Sequence, residues 1–220
     1  MSYIDELCER RKNLLPIKNQ IINSYEMIYE CFKNGNKLLI CGNGGSSADS
    51  SHIMGELVKS FKKDRRIDID MELKLKKEIE KLNSKNPKFN IEEMCEGFIK
   101  NLERGVSCVD LTAFTALNTA YMNDKSFEYV YANAVMNIGV EEDVLLCITT
   151  SGNSKNVFNA AVLAKSKNMK VIAMTGNDGG NIKDVADISI RVPFNETYLI
   201  QEEHIAIYHA ICLDIENNLF

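Results

Sequence analysis

Short apolar runs alternate along the chain with segments whose apolar residues return every three or four positions. The runs are Lys37–Cys41, Ser107–Leu111, Asp143–Ile148, Lys170–Thr175 and Asp187–Val192. Most lack the two-residue alternation of a half-solvated strand, so they predict strands covered on both faces. Between them, Thr112–Gly139 and Asn156–Met169 read as helical, and Gln201–Leu219 as a long terminal helix. In front, Leu14, Ile17, Ile21, Tyr25, Ile28 and Phe32 keep helical spacing, Pro16 breaks or kinks the element, and Asn34-Gly35-Asn36 ends it. Five buried strands spaced by helices predict an α/β fold: a parallel, doubly wound five-stranded sheet with sites at the strands' carboxyl ends.

One stretch breaks the pattern. Residues 62–93 are dense in Lys, Arg, Asp and Glu, with only a partial helical stripe at Met71, Leu73, Leu75, Ile79 and Leu82. A turn is expected over Asn83-Ser84-Lys85-Asn86-Pro87, and Asn90 with Glu93 resembles a capping box opening a helix through Leu102. We read a charged helical insert, a solvated face, within one domain spanning 1–220 that opens with helices over 1–36.

The richest chemistry lies in Lys37–Phe61. An apolar run meets Gly42-Asn43-Gly44-Gly45, and helical spacing resumes at Ser46: strand, glycine turn, helix. Such a turn brings backbone close to a ligand and offers a helix N-terminus to an anion, most often phosphate. The glycine spacing matches neither the dinucleotide fingerprint nor the P-loop, and no lysine follows to reach a nucleotide phosphate. Along the same helix, His52 and Glu56 stand four residues apart, where imidazole and carboxylate either share a metal or form a plain surface pair. Asp49 is expected to serve the electrostatics of the helix start.

Composition narrows the class. At 220 residues the chain has an ordinary α/β length, and no apolar run approaches the roughly 20 residues of a membrane span. The opening SYIDELCERRKNLL lacks the apolar core of a signal peptide, so a soluble, cytoplasmic protein is expected. Seven scattered cysteines without C-x-x-C spacing predict reduced core thiols and no cysteine zinc site. The formal net charge of −5 argues against nucleic acid as a partner.

A second anion loop follows the third strand: Thr149-Thr150-Ser151-Gly152-Asn153-Ser154 places four hydroxyls and a glycine before a helix. Hydroxyls and free N–H groups there accept phosphate oxygens, or Ser154 merely caps the helix. Two such loops on one sheet point to a phosphorylated small molecule.

With these residues in place, CGNGGSSADSSHIMGELVKSF, DVLLCITTSGNSKNV, KVIAMTGNDGG and IQEEHIAIYH resemble sugar-isomerase (SIS) domain proteins of the phosphoheptose isomerase group. The resemblance covers all but the charged insert. It implies an α/β/α sandwich and an aldose–ketose isomerase converting sedoheptulose 7-phosphate to D-glycero-D-manno-heptose 7-phosphate. It also implies a homotetramer with active sites between subunits, usually containing zinc. By position it places substrate contacts at Asn43, Gly44, Ser46, Asp124 (beside Asn123), Thr149, Thr150, Ser151, Ser154 and Gln201. Metal ligands fall at His52, Glu56, Gln201 and His209, with Glu56 as general base and His209 as general acid of an enediol mechanism.

Eight residues of helix span about 12 Å, so Gln201 and His209 reach one ion only if Gln201 precedes the helix or different subunits supply them. His204 is expected to be a packing or surface residue. Phe114 and Tyr198-Leu199 stand where the group usually carries polar residues. The competing reading is a non-catalytic SIS protein that senses phosphosugars or binds the replication initiator. Retention of His52, Glu56, Gln201 and His209 favours the enzyme.

Overall fold

The computed structural model describes residues 1–85 and 90–220. Its centre is a five-stranded parallel sheet in the order β2-β1-β3-β4-β5: β1 (Leu38–Gly42), β2 (Cys108–Asp110), β3 (Val144–Ile148), β4 (Lys170–Thr175) and β5 (Ile188–Arg191). Leu38 is paired with Cys108 on one side and Val144 on the other. β1 and β3 are buried along their whole length, as the unalternating runs require.

Successive side chains of each strand enter opposite layers. Leu38, Ile40, Leu146 and Ile148 join a core with the N-terminal helices α1 (Tyr3–Arg10) and α2 (Lys18–Lys33) and the terminal helix α9 (Thr197–Leu219). Leu39, Cys41, Leu145 and Cys147 face α7 (Val130–Ile138) and α8 (Lys155–Ser166). Each fully buried Leu or Ile contributes about 1.5–3 kcal/mol, so this two-sided burial fixes which helices cover which face. The Pro16 break appears as a 3₁₀ turn over Lys12–Ile17 between α1 and α2. All seven cysteines are free. No helix among the described residues is long and apolar enough to cross a membrane.

The strand order reverses between β1 and β3, because β2 lies beyond β1 on one side while β3, β4 and β5 continue on the other. Ligands of open α/β sheets bind at such a switch point, outside the strands' carboxyl ends. The glycine turn after β1 and the hydroxyl loop after β3 are the two walls of that crevice.

The charged stretch forms α4 (Ile69–Lys85) and α5 (Ile91–Asn101), which pack on each other. Asn90 caps α5 by accepting from the Glu93 N–H at 3.2 Å. The turn expected from Asn83 is corrected in part: 83–85 continue α4, whose strong helix formers carry through Ser84, while 86 and 87 lie outside the described residues. Ile79 is the one buried residue of α4, and Ile69, Leu73 and Leu82 are exposed.

Candidate active site

Both loops are built by backbone geometry that glycine permits. Gly44 has φ +57° at the entry to α3 (Gly45–Val58), and Gly152 has φ +67° at a place where any Cβ would collide with the Gly179 carbonyl. Asn43 and Asn156 then tie the loops together. The Asn43 Nδ2 donates to Asn156 Oδ1 at 2.9 Å, and the Asn156 Nδ2 donates back to Asn43 Oδ1 at 2.9 Å. Asn156 is fully buried, and sequence reading missed it; a polar residue amid the apolar stripe of α8 was the available signal. Tyr131, also missed, donates from α7 to the Gly42 carbonyl at 2.7 Å and holds the glycine turn from behind.

Thr149 is buried and Ser151 is exposed. Ser154 occupies the N-cap position of α8 but makes no side-chain cap; its Oγ lies 3.2 Å from Thr149 Oγ1. Ser151 Oγ accepts from the Asn153 N–H at 3.2 Å, and the Thr150 carbonyl accepts from Gly176. Ser46 is buried in the first turn of α3. Gln201 lies with its amide on Gly45, closer than a Cβ there would allow. Asn43, Gly44, Ser46, Thr149, Thr150, Ser151, Ser154 and Gln201 thus belong to the two loops or touch them.

Further along α3, a second group assembles. His52 Nε2 and Glu56 Oε1 are 3.1 Å apart, Lys59 Nζ lies 3.1 Å from Glu56 Oε2, and Tyr208 OH meets His52 Nδ1 at 2.9 Å. The His209 ring stands edge-on to His52 with centroids 4.9 Å apart, and among the described residues its Nε2 is buried without a hydrogen-bond partner. Burial first, and then the neighbouring His52, push the His209 imidazole below its ordinary range. Glu56 is almost wholly buried, whereas His52 keeps one side open to solvent.

Two expectations change, at Asp49 and Gln201, and the other named residues take their places in the fold. Asp49 sits in the second turn of α3 rather than the first, buried, and Tyr208 donates to its Oδ1 at 3.3 Å. Desolvation raises its pKa. Gln201 lies inside α9, which begins at Thr197, so it does not precede the helix and one chain does not bring it to an ion held by His209. Asn123 and Asp124 are exposed at the end of α6 (Thr115–Asp124), where Asn123 Nδ2 donates to Asp124 Oδ1 at 2.9 Å, and among the described residues no hydrogen bond joins them to either loop. His204 is fully buried and bonds the Thr175 carbonyl, a packing role. Phe114 precedes α6 and packs on the second core.

The donor types at His52, Glu56 and His209 suit zinc, and the 3.1 Å between His52 and Glu56 suits two ligands of one tetrahedral ion. Among the described residues, however, no three His, Cys, Asp or Glu groups gather closely enough to hold a metal ion.

Two family models, each described as an SIS domain, match residues 2–107 and 110–213. The chain is 33% identical over 208 residues to a phosphoheptose isomerase of Helicobacter pylori, covering 94% of this chain and 88% of the relative. It belongs to the phosphoheptose isomerase family. A Glaesserella parasuis phosphoheptose isomerase is 39% identical over 191 residues, covering 86% of this chain and 79% of the relative. The solved phosphoheptose isomerase of Neisseria gonorrhoeae superposes with a TM-score of 0.70 at 30% identity, over 97% of this chain and 91% of that one. The five-stranded sheet is therefore the SIS fold of this isomerase family.

Proposed function

We propose that the protein isomerises sedoheptulose 7-phosphate to D-glycero-D-manno-heptose 7-phosphate. The observation that carries this reading is the pairing of two anion loops, locked by Asn43 and Asn156, with an acid/base group on the same α3 helix. The loops hold the phosphate through hydroxyls and helix N-termini. Glu56, as general base, takes the proton from the carbon beside the carbonyl, and His209, kept neutral-leaning by burial, exchanges a proton with the oxygen of the enediol. Asp124 and Gln201 complete the substrate contacts.

Zinc is the cofactor this reading favours, with His52, Glu56 and His209 as donors and Gln201 as the fourth from a neighbouring subunit. Held there, the ion would supply Lewis-acid polarisation of the substrate carbonyl. The separation of Gln201 and His209 within α9 supports sites shared between subunits, and the family resemblance implies that the assembly is a homotetramer. Unpaired cysteines support a cytoplasmic setting.

The test is solvent proton exchange at C1 and C2 of sedoheptulose 7-phosphate, followed in deuterated water with the purified protein. Deuterium uptake together with formation of the aldoheptose phosphate is expected. Saturable phosphosugar binding with no exchange would replace the enzyme by the sensing protein.

A further inference from the structure

A cavity of about 590 Å³ runs along β5, the edge strand two places from β3 in the sheet. Its walls carry Arg191 of β5, Lys183 of the 3₁₀ turn Asn181–Asp184, Asn177 from the loop after β4, and the amides of Gln20 and Asn23 on α2. Arg191 and Lys183 run side by side over Gly179, where a Cβ would lie 2.8 Å from the Arg191 Cδ and 2.9 Å from the Lys183 Cδ. The carboxylate in the cavity wall is already committed. Asp187 pairs with Lys165 through Oδ1 and accepts the Val171 N–H at 2.7 Å through Oδ2. Lys183 Nζ donates to the Asp178 carbonyl at 2.9 Å and stands 3.6 Å from that residue's carboxylate. Among the described residues, no carboxylate pairs with Arg191.

A planar fork of N–H donors beside a second cation and three amides recognises a phosphate or carboxylate rather than a cation. The volume is that of a small-molecule site and exceeds a bare phosphate, and Pro16 and Pro193 add rigid apolar surface for a carbon skeleton. We propose that the β5-edge cavity is a second anion site, for a small phosphorylated metabolite, separate from the crevice between β1 and β3. The two sites share a wall. Asn181 N–H donates to Asn153 Oδ1 at 3.0 Å and Ile182 N–H to the Gly152 carbonyl at 3.1 Å, so the turn that carries Lys183 is tied to the hydroxyl loop.

The experiment titrates sodium phosphate into the full-length ¹⁵N-labelled protein, with ionic strength held constant by sodium chloride. The chain has six arginines, and the Arg191 Nε–H signal is assigned by its disappearance in Arg191→Gln. In the parent, the Arg191 Nε–H and the Lys183 amide should shift saturably with phosphate. Arg191→Gln should raise the midpoint at the Lys183 amide by about 10- to 100-fold, the effect of losing a hydrogen bond from a charged group, while the Ser151 and Gly152 amides keep their own response. Gln20→Glu, at an exposed position of α2, adds a carboxylate to the cavity wall and should raise the same midpoint by about fivefold. Shifts that grow without saturation overturn the proposal as an adventitious ion only. So does a Lys183 midpoint unchanged in both variants, which assigns the response to the hydroxyl loop, relayed through Asn181 and Ile182. No sugar enters the measurement, so its outcome is separate from that of the isomerase reading.

Discussion

The Arg65 guanidinium donates through Nε to Glu216 Oε1 at 2.7 Å, and both side chains are essentially withdrawn from solvent. Its other arms reach the Leu57 and Glu56 carbonyls, each at 2.8 Å, at the end of α3. Glu216 in turn accepts the N–H groups of Phe61, Lys62 and Lys63, and the Phe220 ring lies 4.8 Å from the guanidinium. The chain's last turn therefore fastens the exit of the helix that carries His52 and Glu56. Arg65→Met leaves Glu216 buried without its cation, which costs about 3–5 kcal/mol. Denaturant unfolding should show that loss; a midpoint equal to the parent's would mean the pair contributes nothing net.

The same lock decides where the charged insert can be cut. Arg66 pairs in a short bridge with Glu103, and Arg104 donates to the Arg65 carbonyl, so both ends of the hairpin are pinned to the body. A replacement that starts at Arg65 would remove the lock along with the insert. Replacing 69–101 by a short Gly/Ser linker should leave the unfolding midpoint and inorganic phosphate affinity unchanged, since both anion loops lie elsewhere. Calorimetric loss of phosphate binding in the folded variant would show that the insert's lysines reach the anion.

Much of this was legible in the chain. Continuous apolar runs announced β1 and β3 because both their faces are covered, and the glycine and hydroxyl clusters announced the loops because few other compositions turn so tightly there. Asn156 and Tyr208 were hidden for a different reason. Each sits within an apolar stripe and acquires its role from a partner more than 100 residues away, a pairing that periodicity does not encode. Arg65 was concealed by its neighbours: in a run of lysines and arginines it reads as solvated, yet the Glu216 carboxylate draws it into the interior.

Glu56→Gln keeps size and shape at a nearly buried position while removing the base. Turnover of the heptose phosphate should fall by about two to four orders of magnitude, with the fold intact by circular dichroism. The exposed Lys59 contact to Glu56 is screened and adds little, so Lys59→Ala should stay near parent activity. Near-parent turnover in Glu56→Gln would assign the base elsewhere.

His204 gives the fold its own pH signature. Burial pushes its pKa down to about 4, and among the described residues its Nδ1 has no partner, so the folded ring stays neutral across the range where a solvated histidine charges. Below the ordinary value of 6.5 the unfolded chain takes up a proton that the folded one refuses, so stability falls as pH drops from about 6.5 to about 4 and then levels for this group. The full shift corresponds to about 3 kcal/mol. His204→Gln, still able to donate to the Thr175 carbonyl, should flatten that part of the profile. Urea midpoints measured at intervals across the window check it: an unchanged slope in the variant would place the acid sensitivity in other groups.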